Sequence, residues 1–361
     1  MISQRLTGWC VAGVTLLLLV PALSGGVPPA SPIADRAATE RPDAPSARLA
    51  MAPDLPIADL LTTLGEPRPD HWLPRTPELV ARGERLVHEG VATRADGRRG
   101  RQLSGAFRCV HCHNVQREDP DLRVSDPEAR LDYAQARDLP LLPATTFYGM
   151  VNRVSWFNED YERKYGELVQ PARRSLRNAV LLCASECSQG RLVEDWELDA
   201  ILAYMWSLEL RLADLDLSEE ELEVVGDALN RGGDGEQARA VLRAGFLPAS
   251  PATLVPPPSD RRAGRPLAPR ADKGKAVWEA SCLHCHGPGG PGQVRFQDLP
   301  RARRRLWRDR VRHDRRSPYH AVRYGTRPYG VPVAYMPFYT SERLSEQMMV
   351  DLLAFLAGET P

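Results

Sequence analysis

Two five-residue runs carry the chemistry of this 361-residue chain: Cys109-Val110-His111-Cys112-His113 and Cys282-Leu283-His284-Cys285-His286. Two thiols three residues apart lie on one helical turn, where each can add to a vinyl group of a single porphyrin. The histidine that follows then reaches the iron from the same face. Composition alone would produce roughly 0.003 such runs by chance, so two are no accident. The competing use of Cys-x-x-Cys is a zinc site or a redox dithiol. Zinc would need two further close ligands, and neither flank offers a knuckle joining motifs 173 residues apart. The implied cofactors are two covalently bound haem c groups. Cys109, Cys112, Cys282 and Cys285 are the attachment points, with His113 and His286 as proximal iron ligands.

Each motif follows a helical pattern. Thr76-Pro77 starts a helix that runs to about Glu89 and stops at Gly90. After the first motif come a Pro-punctuated stretch from Asp119 to Pro143 and a predicted helix across Glu159 to Val180. An amphipathic helix near Asp195 to Glu209 follows, with Leu198, Ile201, Leu202 and Met205 at helical spacing. Residues 212–245 read as a small helical hairpin, with Ser218 capping the acidic run Glu219 to Glu223. Seven prolines between 247 and 270 mark a linker. The expected fold is all-α. It comprises a first haem domain over 76–211, the hairpin and Pro-rich linker over 212–270, and a second haem domain over 271–361.

The N-terminal residues speak to compartment. Arg5 is the one charge before an apolar run from Gly8 to Leu23, and Ala22-Leu23-Ser24 before Gly25 suits cleavage. Residues 1–24 therefore read as an export signal. An uncleaved anchor is the alternative, because Gly8 to Ser24 is 17 residues, the short limit for a span. Cys10 precedes the apolar core, which argues against a lipoprotein site. Residues 25–75 form a Pro/Ala-rich tether in which the apolar piece Leu55 to Leu64 can pack on the body. The expected location is periplasmic or otherwise extracytoplasmic, where thiols oxidise unless something claims them. Lys+Arg and Asp+Glu balance at 47 each, so overall charge gives no support to nucleic-acid binding. Membrane contact would come through the N-terminal segment alone.

The second haem region resembles class I cytochrome c over nearly its whole length. Gly274 and Trp278 match that family's Gly/aromatic pair on the first helix, and Leu352-Leu353-Ala354-Phe355-Leu356 matches its closing helix. Tyr335-Met336-Pro337-Phe338 matches the distal segment, so the resemblance implies Met336 as the sixth iron ligand. The first region is similar only in part. Gly83 and Tyr204 form the helix pair, but no Met-Pro occurs there. Met336 precedes Phe355 by 19 residues, and counting back 19 from Tyr204 reaches Ser185, flanked by Cys183 and Cys187. Three readings stay open: a Cys183–Cys187 disulfide, Met150 as ligand, or a thiolate ligand from Cys183 or Cys187.

The resemblance implies an electron carrier between redox partners. Nine arginines between 301 and 316, against Asp309 and Asp314, read first as a solvated face and second as a docking surface for an acidic partner. His88, His284, His313 and His320 read as packing or surface histidines before ligands. The enzyme alternative is a di-haem oxidoreductase, peroxidase-like or thiosulfate-oxidising, with catalysis at the first haem. A haem subunit of a membrane respiratory complex is the third.

Overall fold

The computed structural model describes residues 52–296, 298–312, 317–325 and 336–358. The export run, Cys10 and the tether up to residue 51 lie outside them, as do His313, Arg315 and Arg316. The described residues are helices and connecting turns, without a sheet. The fold is all-α. Among the described residues no helix is long and apolar enough to cross a membrane.

Two helix pairs frame the structure, and each crosses at a glycine. Pro77–Glu89 begins where the Thr76 hydroxyl accepts from the Leu79 amide, and it ends at Gly90 in the left-handed region, φ 77°. It packs on Asp195–Ser207 at Gly83, where a Cβ would collide with the Ala200 carbonyl. Ala271–Val277 packs on Glu346–Ala357 in the same way, and a Cβ at Gly274 would collide with the Asp351 carbonyl. Backbone approaches this close admit no side chain at either position. The repeat in the sequence is thus a repeat in packing.

The described residues pack into three apolar clusters, two of them beneath these pairs. The first gathers Leu86, Ile201, Leu202 and Trp206 around the first motif. The second gathers Val277, Trp278, Met349 and Leu352 around the second. The third joins Ile57, Leu60 and Leu61 of helix Ile57–Thr63 to Val225 and Leu242 of the hairpin helices Glu219–Asn230 and Gly235–Ala244. The regions around the two motifs also exchange residues. Leu131 and Leu141 belong to the second cluster, and Phe338 to the first.

The structure differs from expectation in two places. The helix expected across Glu159 to Val180 is three short pieces: Tyr161–Tyr165, Val169–Arg173 and Leu176–Leu182. Gly166, at φ 60°, breaks the first, and the Ser175 hydroxyl caps the last by accepting from Asn178 N. The Pro-rich stretch after 247 is packed, with Ala252 and Leu254 buried. Its amides donate to side chains far away in sequence: Ala252 N to Glu159 at 3.1 Å, Thr253 N to Glu342 at 2.9 Å and Leu254 N to Asp160 at 2.8 Å. Buried amides of an extended segment need such acceptors, and composition does not reveal them.

Candidate haem sites

The first motif winds as a single tight turn, Cys109–His111, after Pro77–Glu89 and the loop that returns from Gly90. His113 Nδ1 lies 2.6 Å from the Thr145 carbonyl oxygen. A carbonyl only accepts, so Nδ1 carries the proton and Nε2 is left with its lone pair. Burial lowers the His113 pKa to about 4, which keeps the ring neutral and able to ligate at pH 7. The second motif repeats the arrangement. His286 Nδ1 donates to the Val294 carbonyl at 2.7 Å, and burial lowers its pKa too. Phe147 lies 4.5 Å from the His113 ring at 31°, and Phe296 lies 4.5 Å from the His286 ring at 36°. Orienting the far nitrogen and wedging the ring are what fix an axial imidazole.

A cavity opens in front of the first motif. Its empty volume out to the mouth is about 1420 Å³. Leu86, Phe147, Ile201 and Met205 supply apolar walls, and Pro337 and Phe338 reach in from beyond residue 270. Met150, Cys183 and Cys187 all line it. Cys183–Cys187 winds as a π-turn, a local widening often found where a helix serves a site. Cys183 Sγ stands 4.0 Å from His113 Nε2. Cys187 Sγ lies 3.4 Å from the Tyr165 hydroxyl, and the two thiols hydrogen-bond one another. That bond lowers the Cys187 pKa and raises the Cys183 one. No disulfide joins any of the six described cysteines.

The same cavity tests whether a haem suits these residues. Trp156, 7% exposed, lines it, and its Nε1 is buried without a partner among the described residues. Arg153 donates to the Ser250 hydroxyl at the cavity edge and pairs with no carboxylate among the described residues. Burial lowers its pKa to about 10. A porphyrin brings two carboxylates, the acceptor chemistry that both donors lack. The residues fit the group. Among the described residues no three His, Cys, Asp or Glu side chains gather as a metal site, so nothing there supplies the extra ligands zinc needs.

Around the second motif, Trp278–Cys282 winds as another π-turn and runs into Leu283–His286. Trp278 stacks 5.2 Å from Phe296 and 6.3 Å from Phe355. Met336, Cys282 and Phe296 pack against one cluster. Residues 269–356 match the family described as cytochrome C oxidase, cbb3-type, subunit III. They form a c-type cytochrome domain. No curated protein and no solved structure matches the chain. A cytochrome domain of this kind holds haem c covalently and uses it for electron transfer, and the second motif lies within it.

The cytochrome domain meets the first site closely. Leu141 N donates to Ala280 O at 3.0 Å, two residues before Cys282, and Ala144 N donates to Cys112 O at 3.0 Å. Tyr339 Oη donates to Leu141 O at 3.1 Å.

The remaining candidates fall outside both sites. His88 Nε2 bonds the Tyr204 hydroxyl at 3.1 Å, a helix-pair contact. His320 packs 5.0 Å from Tyr324. In helix Leu299–Arg312, Arg301, Arg304, Arg305 and Arg308 are exposed, while Arg303 lies 4.1 Å over the Phe355 ring. Sequence reasoning missed Phe147 and Phe296, which stand 34 and 10 residues after their histidines and share no spacing. It also missed Tyr165, Arg153 and Trp156, which no motif marks.

Proposed function

We propose that this chain is an extracytoplasmic di-haem cytochrome c that passes single electrons between redox partners. The observation that carries the reading is the repeat of one constellation. At both motifs an imidazole donates Nδ1 to a carbonyl and lies 4.5 Å from a phenylalanine. Bound haem would supply the one-electron couple; the chain would set potential, distance and access. His113 and His286 would be the proximal ligands, with Met336 on the far side of the second haem. Cys183 is the best-placed residue on the far side of the first. The backbone hydrogen bond from Leu141 to Ala280 supports a short electron path between the sites. The exposed arginines of Leu299–Arg312 would steer an acidic partner.

A second reading is favoured by one observation. A thiol standing opposite His113, with a second thiol beside it, suits a low-potential haem that acts on a substrate, as in a thiosulfate-oxidising di-haem enzyme. The cytochrome domain would then relay electrons outward. Haem analysis separates the proposal from its failure. The mature protein, produced with a c-type maturation system, should hold two covalent haems per chain. Substituting Cys109 and Cys112 should remove one of them, and Cys282 with Cys285 the other. One haem in the unaltered protein would overturn the di-haem reading.

A further inference from the structure

The loop that carries Met336 does not end at the second site. Seven residues on, Arg343 leaves the cytochrome domain and enters the first haem region. Its Nη1 lies 2.5 Å from Glu118 Oε1 and its Nη2 3.1 Å from Oε2, with both side chains buried. Its Nε and Nη2 also donate to the Leu142 carbonyl, at 3.1 and 2.7 Å.

Glu118 in turn holds the two residues that flank the proximal-ligand hydrogen bond. Its Oε2 accepts from Asn114 Nδ2 at 2.9 Å, and Asn114 follows His113. Its Oε1 accepts from Thr146 N at 2.9 Å, and Thr146 follows Thr145, whose carbonyl receives His113 Nδ1–H. The carboxylate therefore spans the ligand and its acceptor. On the other side, Arg323, 1% exposed, braces the loop by donating to the carbonyls of Tyr339 and Thr340 at 3.3 Å and of Leu344 at 2.6 Å. Phe338 of the same loop lines the first cavity.

We infer that Arg343 and Glu118 are positioning residues for the first haem: the distal loop of the second haem sets the orientation of His113 across the interface. Because a buried bidentate pair has one favoured geometry, movement at Met336 is passed to His113 rather than absorbed. The inference rests on the di-haem reading. The haem count above tests that reading separately, in the unaltered protein.

The test uses the mature, full-length holoprotein. Glu118→Gln keeps the shape but leaves Arg343 as an uncompensated cation near the first haem. Its midpoint potential should rise while that of the second haem stays in place. The double variant Glu118→Gln/Arg343→Met removes both charges, so it leaves no buried ion unpaired and should fold. It should return the first potential towards that of the unaltered protein, yet change the electron paramagnetic resonance g-values of the first haem, which report axial-ligand orientation. Two-haem variants whose first-haem g-values and potential match the unaltered protein would overturn the inference. So would equal shifts at both haems, which indicate general loosening of the fold.

Discussion

Cys183 Sγ stands 4.0 Å from His113 Nε2, across the cavity in front of the first motif. A first-row metal ion sits about 2.0 Å from an imidazole nitrogen and about 2.3 Å from a thiolate, so two ligands on opposite sides of one ion lie about 4.3 Å apart. The separation suits one iron held between them. Cys183→Ala should therefore remove a low-spin thiolate signature and raise the first haem's potential. Cys187→Ala and Met150→Ala should leave that signature in place. Retention of the signature in Cys183→Ala, or its loss in Met150→Ala, would reject this assignment.

Met336 packs, like Cys282, against the second apolar cluster. Met336→Ala should abolish the Met–iron charge-transfer band at the red end of the oxidised spectrum and lower the second haem's potential. An unchanged spectrum would exclude Met336 as a ligand.

The helix crossings make a prediction about stability. Alanine is ordinarily the better helix residue, by about 1 kcal/mol over glycine. At Gly83 and Gly274 the new Cβ would meet a carbonyl of the partner helix, so each substitution should destabilise by about 2–3 kcal/mol or more. Gly226, whose Cβ would meet nothing within 4 Å, is the control and should be neutral or gain. Thermal denaturation of the three variants compares them directly.

Acid should weaken the interface through Glu118. Burial alone would raise its pKa, but the Arg343 charge and the hydrogen bonds outweigh burial and bring it down to about 2. A free glutamate titrates near about 4.3. The folded pKa is the lower one, so the stabilisation is complete above the unfolded value and is lost as pH falls from about 5 towards 2. Glu118→Gln should flatten the stability profile in that window and leave its neutral side sloped as before. Denaturation series at stepped pH would show whether the slope persists without this carboxylate.

The exposed arginines carry an electrostatic expectation. Reduction by an acidic electron-transfer partner should slow steeply as ionic strength rises, by roughly 10-fold or more between low and high salt. Arg304→Glu with Arg308→Glu should remove most of that dependence. Stopped-flow rates insensitive to salt in the unaltered protein would rule out docking through this helix.

Covalent chemistry and close backbone approach are local demands, and the sequence by itself determined what depends on them. The spacing of Cys109, Cys112 and His113, repeated at Cys282, Cys285 and His286, is that of haem attachment, because two neighbouring thiols can bond one porphyrin while the adjoining imidazole reaches its iron. Gly83 and Gly274 mark the crossings because nothing larger fits there. The side chain opposite His113 was decided by the tertiary structure. Met150, Cys183 and Cys187 all reach one cavity, and a π-turn 70 residues along the chain turns Cys183 towards the imidazole. The Glu118–Arg343 pair spans 225 residues, and the amides of 252–254 find their acceptors on remote loops. Such partners have no shared spacing or period, because a buried ion or amide needs a matching group in space, wherever along the chain it comes from.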